Sequence, residues 1–132
     1  ITAAMIFPDK KVISVCGDGG FMMNSQELET AVRLGVNLTA VILNDKAYGM
    51  VKWKQENMKF SDFGLSFENP DFVKYAEAYG AKGHRINNAQ ELSETLKACL
   101  SSKGVHVIDC PVDYSQNDKI LNKDLNKISS AL

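Results

Sequence analysis

Cysteine is scarce and poorly spaced: Cys16, Cys99 and Cys110 are the only three, with no CxxC pair among them. An odd count at such spacing argues against a disulfide framework and lends no support to a zinc ribbon or a catalytic thiol. Cys16 and Cys110 each end an apolar run, so they read as small buried hydrophobes in a reducing compartment, which points to the cytoplasm. A charge excess is missing too. The formal net charge is −1, so there is no basic footprint for nucleic acid or an anionic membrane. No apolar run approaches the roughly 20 residues of a membrane-spanning helix. Internal repeats and low-complexity segments are also lacking. Neither nucleic acid nor membrane is therefore expected as a partner.

What is present is an ordinary globular composition, with 45% hydrophobic and 23% charged residues in 132. That length suits one domain, 1–132, able to bury roughly two thirds of the surface its unfolded chain exposes. The start is abrupt, because residues 1–6 read as the end of a helix already under way, and a fragment of a longer chain is expected. Residues 115–132 read as a polar tail.

Short apolar runs alternate with longer amphipathic stretches, which predicts an α/β fold with a parallel sheet flanked by helices in three layers. Strands are expected at residues 11–16, 38–43, 84–86 and 105–110. Helices are expected at 24–34, ended by Gly35, from Tyr48 to about Asn57, from Asn69 to near Gly80, and from Asn88 through Leu100. Asn69–Pro70–Asp71 reads as an N-cap, a proline at the first helical position and an acid in the first turn. Asn88 with Glu91 suggests a capping box. Residues 58–68 lack periodicity and read as a mobile loop or lid.

The informative feature is a pair of strand ends. Gly17–Asp18–Gly19–Gly20 leaves one strand and enters a helix, and Asn44–Asp45 leaves the next. Ligands of open parallel sheets bind at the carboxyl ends of strands. A helix start there offers N–H groups to phosphate, and glycines let the backbone approach closely. Two aspartates at neighbouring strand ends would converge on a hard divalent cation such as Mg²⁺, which shares oxygen ligands with phosphates. Each part also has a plainer reading, as a tight turn or a strand-end cap. His84 and His106 lie in short apolar strands away from these ends and read as structural. Leu92, Leu96 and Leu100 read as a packing face, and Trp53 as packing for the helix after Tyr48.

Gly17–Asp18–Gly19, with Asn44–Asp45 following 27 residues on (45 − 18), resembles the GDG…N(N/D) motif of thiamine diphosphate enzymes. The likeness continues through residues 26–31 and Tyr48–Gly49–Met50–Val51, and spans the chain from residue 7 to residue 114. Within that superfamily the chain is most similar to acetolactate synthases of the catabolic, FAD-independent type. Asp45, where many members carry Asn, and the place of Trp53 relative to the biosynthetic pattern both fit that subgroup. The resemblance implies a partial, C-terminal thiamine diphosphate-binding domain. Asp18, Asp45 and the Ala47 carbonyl would bind Mg²⁺. Gly17, Asp18, Gly19, Gly20 and Asn44 would line the diphosphate, and Tyr48, Gly49, Met50 and Val51 the thiazolium. It implies decarboxylation of pyruvate and its ligation to a second pyruvate, giving 2-acetolactate. The parent would be a homo-oligomer, dimer or tetramer, whose activating glutamate lies in another domain of a neighbouring subunit; no catalytic residue is assigned within this chain. A pyruvate oxidase, a 2-oxoacid decarboxylase and a non-enzymatic receiver-type module remain as alternatives.

Overall fold

The computed structural model describes residues 1–117, 119 and 120, so most of the expected polar tail lies outside the described residues. Ten elements follow one another: α1 (Thr2–Ile6), β1 (Val12–Gly17), α2 (Asp18–Met23), α3 (Glu27–Arg33), β2 (Leu38–Asn44), α4 (Gly49–Asn57), α5 (Phe72–Ala78), β3 (Lys82–Arg85), α6 (Ala89–Ser101) and β4 (Val105–Pro111). The four strands pair in the order β1-β2-β4-β3. Every pairing is parallel, with Gly17 opposite Leu43 and Asn44 opposite Pro111. None of the described helices is long and apolar enough to cross a membrane.

Alternation along the central strands separates two cores. Leu38, Ile42, Val105 and Val107 pack against Ala4, Leu28, Ala31, Phe72 and Ala76, which come from α1, α3 and α5. Val41, Ile108 and Cys110 face the other way, onto Cys99, Leu92 and Leu96 of α6. Side chains in a strand point to opposite faces in turn, so β2 and β4 feed both cores and are buried almost throughout. Burying Ile42 or Ile108, each 0% exposed, contributes roughly 1.5–3 kcal/mol. The three-layer arrangement expected from the sequence is therefore present. Edge strand β1 is different, since Ile13 and Val15 are exposed.

Element ends show where local chemistry was read well and where it was not. Gly35, at φ 62°, ends α3 as expected. Asn88 caps α6 as expected, its Oδ1 accepting the Glu91 N–H, but the Glu91 carboxylate accepts from Asn88 Nδ2 and the Asn87 N–H instead of closing a box on the Asn88 N–H. The cap of α5, by contrast, is Asp71, whose carboxylate accepts from the N–H groups of Val73 and Lys74. Asn69 is not the cap. Pro70 holds the residue before it extended, and the Asn69 carboxamide turns toward the strand ends instead. The helix expected at 24–34 starts only at Glu27, because the chain turns at residues 24–26, and a separate short helix, α2, precedes it from Asp18. Strand β3 starts earlier than its apolar residues suggest, at Lys82, because Gly83 brings the strand onto α5. A Cβ at Gly83 would lie 2.6 Å from the Val73 Cα.

Candidate functional site

The carboxyl ends of β1 and β2 lie side by side, and the residues singled out in the sequence gather there. Gly17, Asp18, Gly19, Gly20, Asp45, Ala47, Tyr48, Gly49, Met50 and Val51 line one open cavity of about 300 Å³, together with Leu43 and Tyr114. The site is assembled from the end of β1, the first turn of α2, the turn after β2 and the start of α4.

Asp18 is the buried member, 1% exposed. Its Oδ1 accepts the Gly19 N–H at 2.8 Å; its Oδ2 accepts the Lys46 N–H at 2.8 Å and Asn69 Nδ2 at 2.6 Å. Such a carboxylate is oriented by its donors before any ligand arrives. The turn that delivers the Lys46 N–H is left-handed at Lys46, with φ 56°. That conformation is costly for a residue with a side chain, and it sits at the point where the backbone meets Asp18. The turn is tied down from outside. Tyr48 N–H donates to the Leu65 carbonyl and Phe67 N–H to the Lys46 carbonyl, both part of an antiparallel bridge between Ala47 and Ser66. These bonds use the carbonyls of Lys46 and Leu65, so that of Ala47 stays out of the pairing. The stretch expected to be a loop or lid thus includes a clasp on the site at residues 65–67.

Asp45 is half-buried, and its carboxyl is held above the ordinary value, first by burial and next by the charge of Asp18 beside it. Two carboxylates in one polar pocket repel each other, and a cation between them removes that penalty. The Tyr114 hydroxyl is raised by burial and then by the same two acids. Glycines make the space: a Cβ at Gly49 would run into the Asp45 carboxylate, and one at Gly19 would lie 2.7 Å from the Tyr48 ring. Oxygen donors of this kind and number fit a hard divalent ion.

Asn44 is placed differently from its neighbours. Its Nδ2 donates to Asp109 Oδ1 at 2.8 Å, and its Oδ1 accepts from Asn69 Nδ2 at 2.9 Å. Asp109, 3% exposed, also accepts from Arg85 Nε at 3.2 Å, while Arg85 Nη2 reaches Asp71 at 3.1 Å. A polar chain therefore runs Asp71–Arg85–Asp109–Asn44–Asn69–Asp18, linking the cap of α5 to the buried acid of the site. Asp109 and Arg85 carried no motif, and Asn69 read as a helix cap. The one signal for them was a charged residue, Asp109, inside an otherwise apolar strand. Tyr114 was visible only as part of the resemblance. Trp53, placed as packing, lines a neighbouring cavity of about 380 Å³ with Asp45, Lys52 and Tyr114.

Comparison with known proteins agrees with this geometry. Residues 1–110 match the family described as "Thiamine pyrophosphate enzyme, C-terminal TPP binding domain". The chain is 40% identical to the acetolactate synthase of Bacillus subtilis over 127 residues, 96% of this chain and 22% of that protein. It is 41% identical to the catabolic acetolactate synthase of Raoultella terrigena over 123 residues, 93% of this chain and 22% of that protein. Among solved structures it superposes on the thiamine diphosphate-dependent 4-hydroxybenzoylformate decarboxylase of Rhodococcus jostii, with a TM-score of 0.78 and 27% identity, covering 86% of this chain and 22% of that one. The chain thus spans about a fifth of the length of these relatives. A receiver-type module is set aside, and the chain belongs to the thiamine pyrophosphate enzymes, as their C-terminal cofactor-binding domain.

Proposed function

We propose that this domain anchors the diphosphate of thiamine diphosphate through a Mg²⁺ ion held by the carboxylates of Asp18 and Asp45 and the carbonyl of Ala47. One observation carries this reading: a buried, pre-oriented Asp18 lies beside Asp45, whose carboxyl is raised partly by that neighbouring charge. Without a cation this pairing is unfavourable; with one it becomes the reason the residues are there. The first turn of α2 has no side-chain cap at Gly17; the Gly19 N–H is held by Asp18, and Gly20 would offer its N–H to the phosphate beside Gly19. Tyr48, Gly49, Met50 and Val51 would meet the thiazolium side. Asn44 would support the diphosphate end from beneath, through Asn69.

The whole protein is proposed to decarboxylate pyruvate and join it to a second pyruvate, giving 2-acetolactate. The similarity to two acetolactate synthases, one named catabolic, supports this over sister chemistries. When bound, the cofactor supplies the carbon chemistry, and this chain's residues position and charge-balance its diphosphate. The test is product analysis of the full-length protein with pyruvate, Mg²⁺ and thiamine diphosphate, without added FAD. Acetolactate is expected. Acetaldehyde or acetyl phosphate would overturn the synthase assignment and move the protein to a decarboxylase or oxidase.

A further inference from the structure

At the other end of the sheet, three donors from three elements converge. His84 of β3, Cys99 of α6 and His106 of β4 each present a ligand atom, and these atoms all lie within 4.8 Å of one another. His106 pairs across the sheet with Thr39 and Lys82, five residues before Pro111, so the cluster lies about 16 Å along the strand from the cofactor site. We infer that His84, Cys99 and His106 form a second metal site, specific for Zn²⁺ or a similar borderline-soft ion, that fastens α6 to the edge strand β3.

The ligand set decides the ion. A thiolate with two imidazoles suits zinc and its neighbours, while Mg²⁺ requires oxygen. Spacing agrees as well. His84 Nε2 and His106 Nδ1 share a hydrogen bond at 3.1 Å, which an ion would replace, and two nitrogens at about 2.0–2.1 Å from a tetrahedral ion are separated by roughly 3.3 Å. A sulfur at about 2.3 Å stands roughly 3.6 Å from each nitrogen, so Cys99 Sγ has to close by about 1.2 Å at most (4.8 − 3.6).

The surroundings fit a ligand role. His106 Nε2 lies 2.6 Å from Ser102 Oγ, the outer partner that fixes a ligating imidazole and leaves Nδ1 facing the ion. The two rings stack at 19° with centroids 5.3 Å apart, so both are already oriented. Burial, and then the Lys82 ammonium, hold both imidazoles below their ordinary value, which keeps them neutral and able to donate lone pairs. That ammonium also repels a cation, although it is drawn aside to the Lys103 carbonyl at 3.0 Å. Burial raises the Cys99 thiol, so its proton leaves when a metal ion takes its place and is released to solvent. Cys99 and His106 are buried, while His84 is only half-buried and opens the site to solvent for ion entry. The three protein ligands leave the fourth tetrahedral position to water.

The test uses the metal-stripped full-length protein, saturated with Mg²⁺ so that the oxygen site is filled, and titrated with Co²⁺. One equivalent of Co²⁺ is expected to bind with a near-ultraviolet thiolate-to-cobalt charge-transfer band, and Zn²⁺ is expected to abolish that band. Cys99→Ser should lose the band. His84→Gln, on the half-exposed edge strand, should weaken Co²⁺ binding at least about tenfold. Zn²⁺ should raise the Tm of the wild type and leave that of Cys99→Ser unchanged. Absence of the band in the wild type, or its persistence in Cys99→Ser, would overturn the assignment.

Discussion

Gly49 and Asn69 show how single residues set the site by fixing where its carboxylates lie. Gly49 leaves room for the Asp45 carboxylate, so Gly49→Ala has to push that group aside. The expected result is a loss of Mg²⁺-dependent cofactor affinity of at least about tenfold, or ~1.4 kcal/mol. The Tm of the metal-free protein should scarcely change, because the clash lies at an open cavity. Titration calorimetry with thiamine diphosphate and a thermal melt separate the two effects; a large loss of Tm with affinity retained would contradict the reading. Asn69 donates to both Asp18 and Asn44 from one amide. Asn69→Ala leaves Asn44 Oδ1 unmet and Asp18 Oδ2 with the Lys46 N–H alone, and should cost about 1–3 kcal/mol in urea unfolding, along with weakened cofactor binding. Stability equal to wild type would show that the polar chain beneath the site is dispensable. Asp18 and Asp45 stand out in the sequence because both follow strands and Asp18 lies between glycines. Asn69 does not, because before a proline and a helix an asparagine looks like a cap.

Among the elements, α5 carries the most testable electrostatics. Its cap Asp71 accepts two backbone N–H groups and meets Arg85, and its carboxyl is held below the ordinary 3.8, first by the Lys74 N–H and also by the Arg85 charge. A depressed acid stabilises the fold above its unfolded value and loses that contribution as pH falls through the folded value. Asp71→Ala should therefore lower Tm clearly at neutral pH, and the gap from wild type should narrow as pH drops below 3.8. A gap independent of pH would place the effect in packing rather than charge. Element order and type were legible apart from the separate helix α2, since β2 and β4 are continuous apolar runs and α6 carries its Asn88 cap. Boundaries were less so. The turn at residues 24–26 escaped because the sequence from Asn24 onward keeps helical spacing, and the early start of β3 escaped because Gly83 contributes closeness rather than an apolar side chain.

In the whole molecule, chemistry gathers at the carboxyl ends of β1 and β2, and one partly buried polar chain links that edge to α5. Linear motifs revealed the first because its residues are neighbours in sequence. They concealed both the polar chain and the His84–Cys99–His106 cluster, whose members are brought together only by the parallel pairing of β3 with β4 and the packing of α6. Because the chain spans 22% of the length of its acetolactate synthase relatives, the isolated domain is expected to form no acetolactate even with Mg²⁺ and thiamine diphosphate. Detectable product from the purified domain would contradict that division of labour. The central claim is the metal-bridged anchor, and calorimetric titration of thiamine diphosphate into the full-length protein, wild type against Asp18→Asn, with and without Mg²⁺, tests it most directly. The account predicts tight binding only for wild type with Mg²⁺, and for Asp18→Asn a loss of at least about a hundredfold, roughly 2.7 kcal/mol, that added Mg²⁺ does not restore. Equal affinity of the two proteins in Mg²⁺ would contradict it.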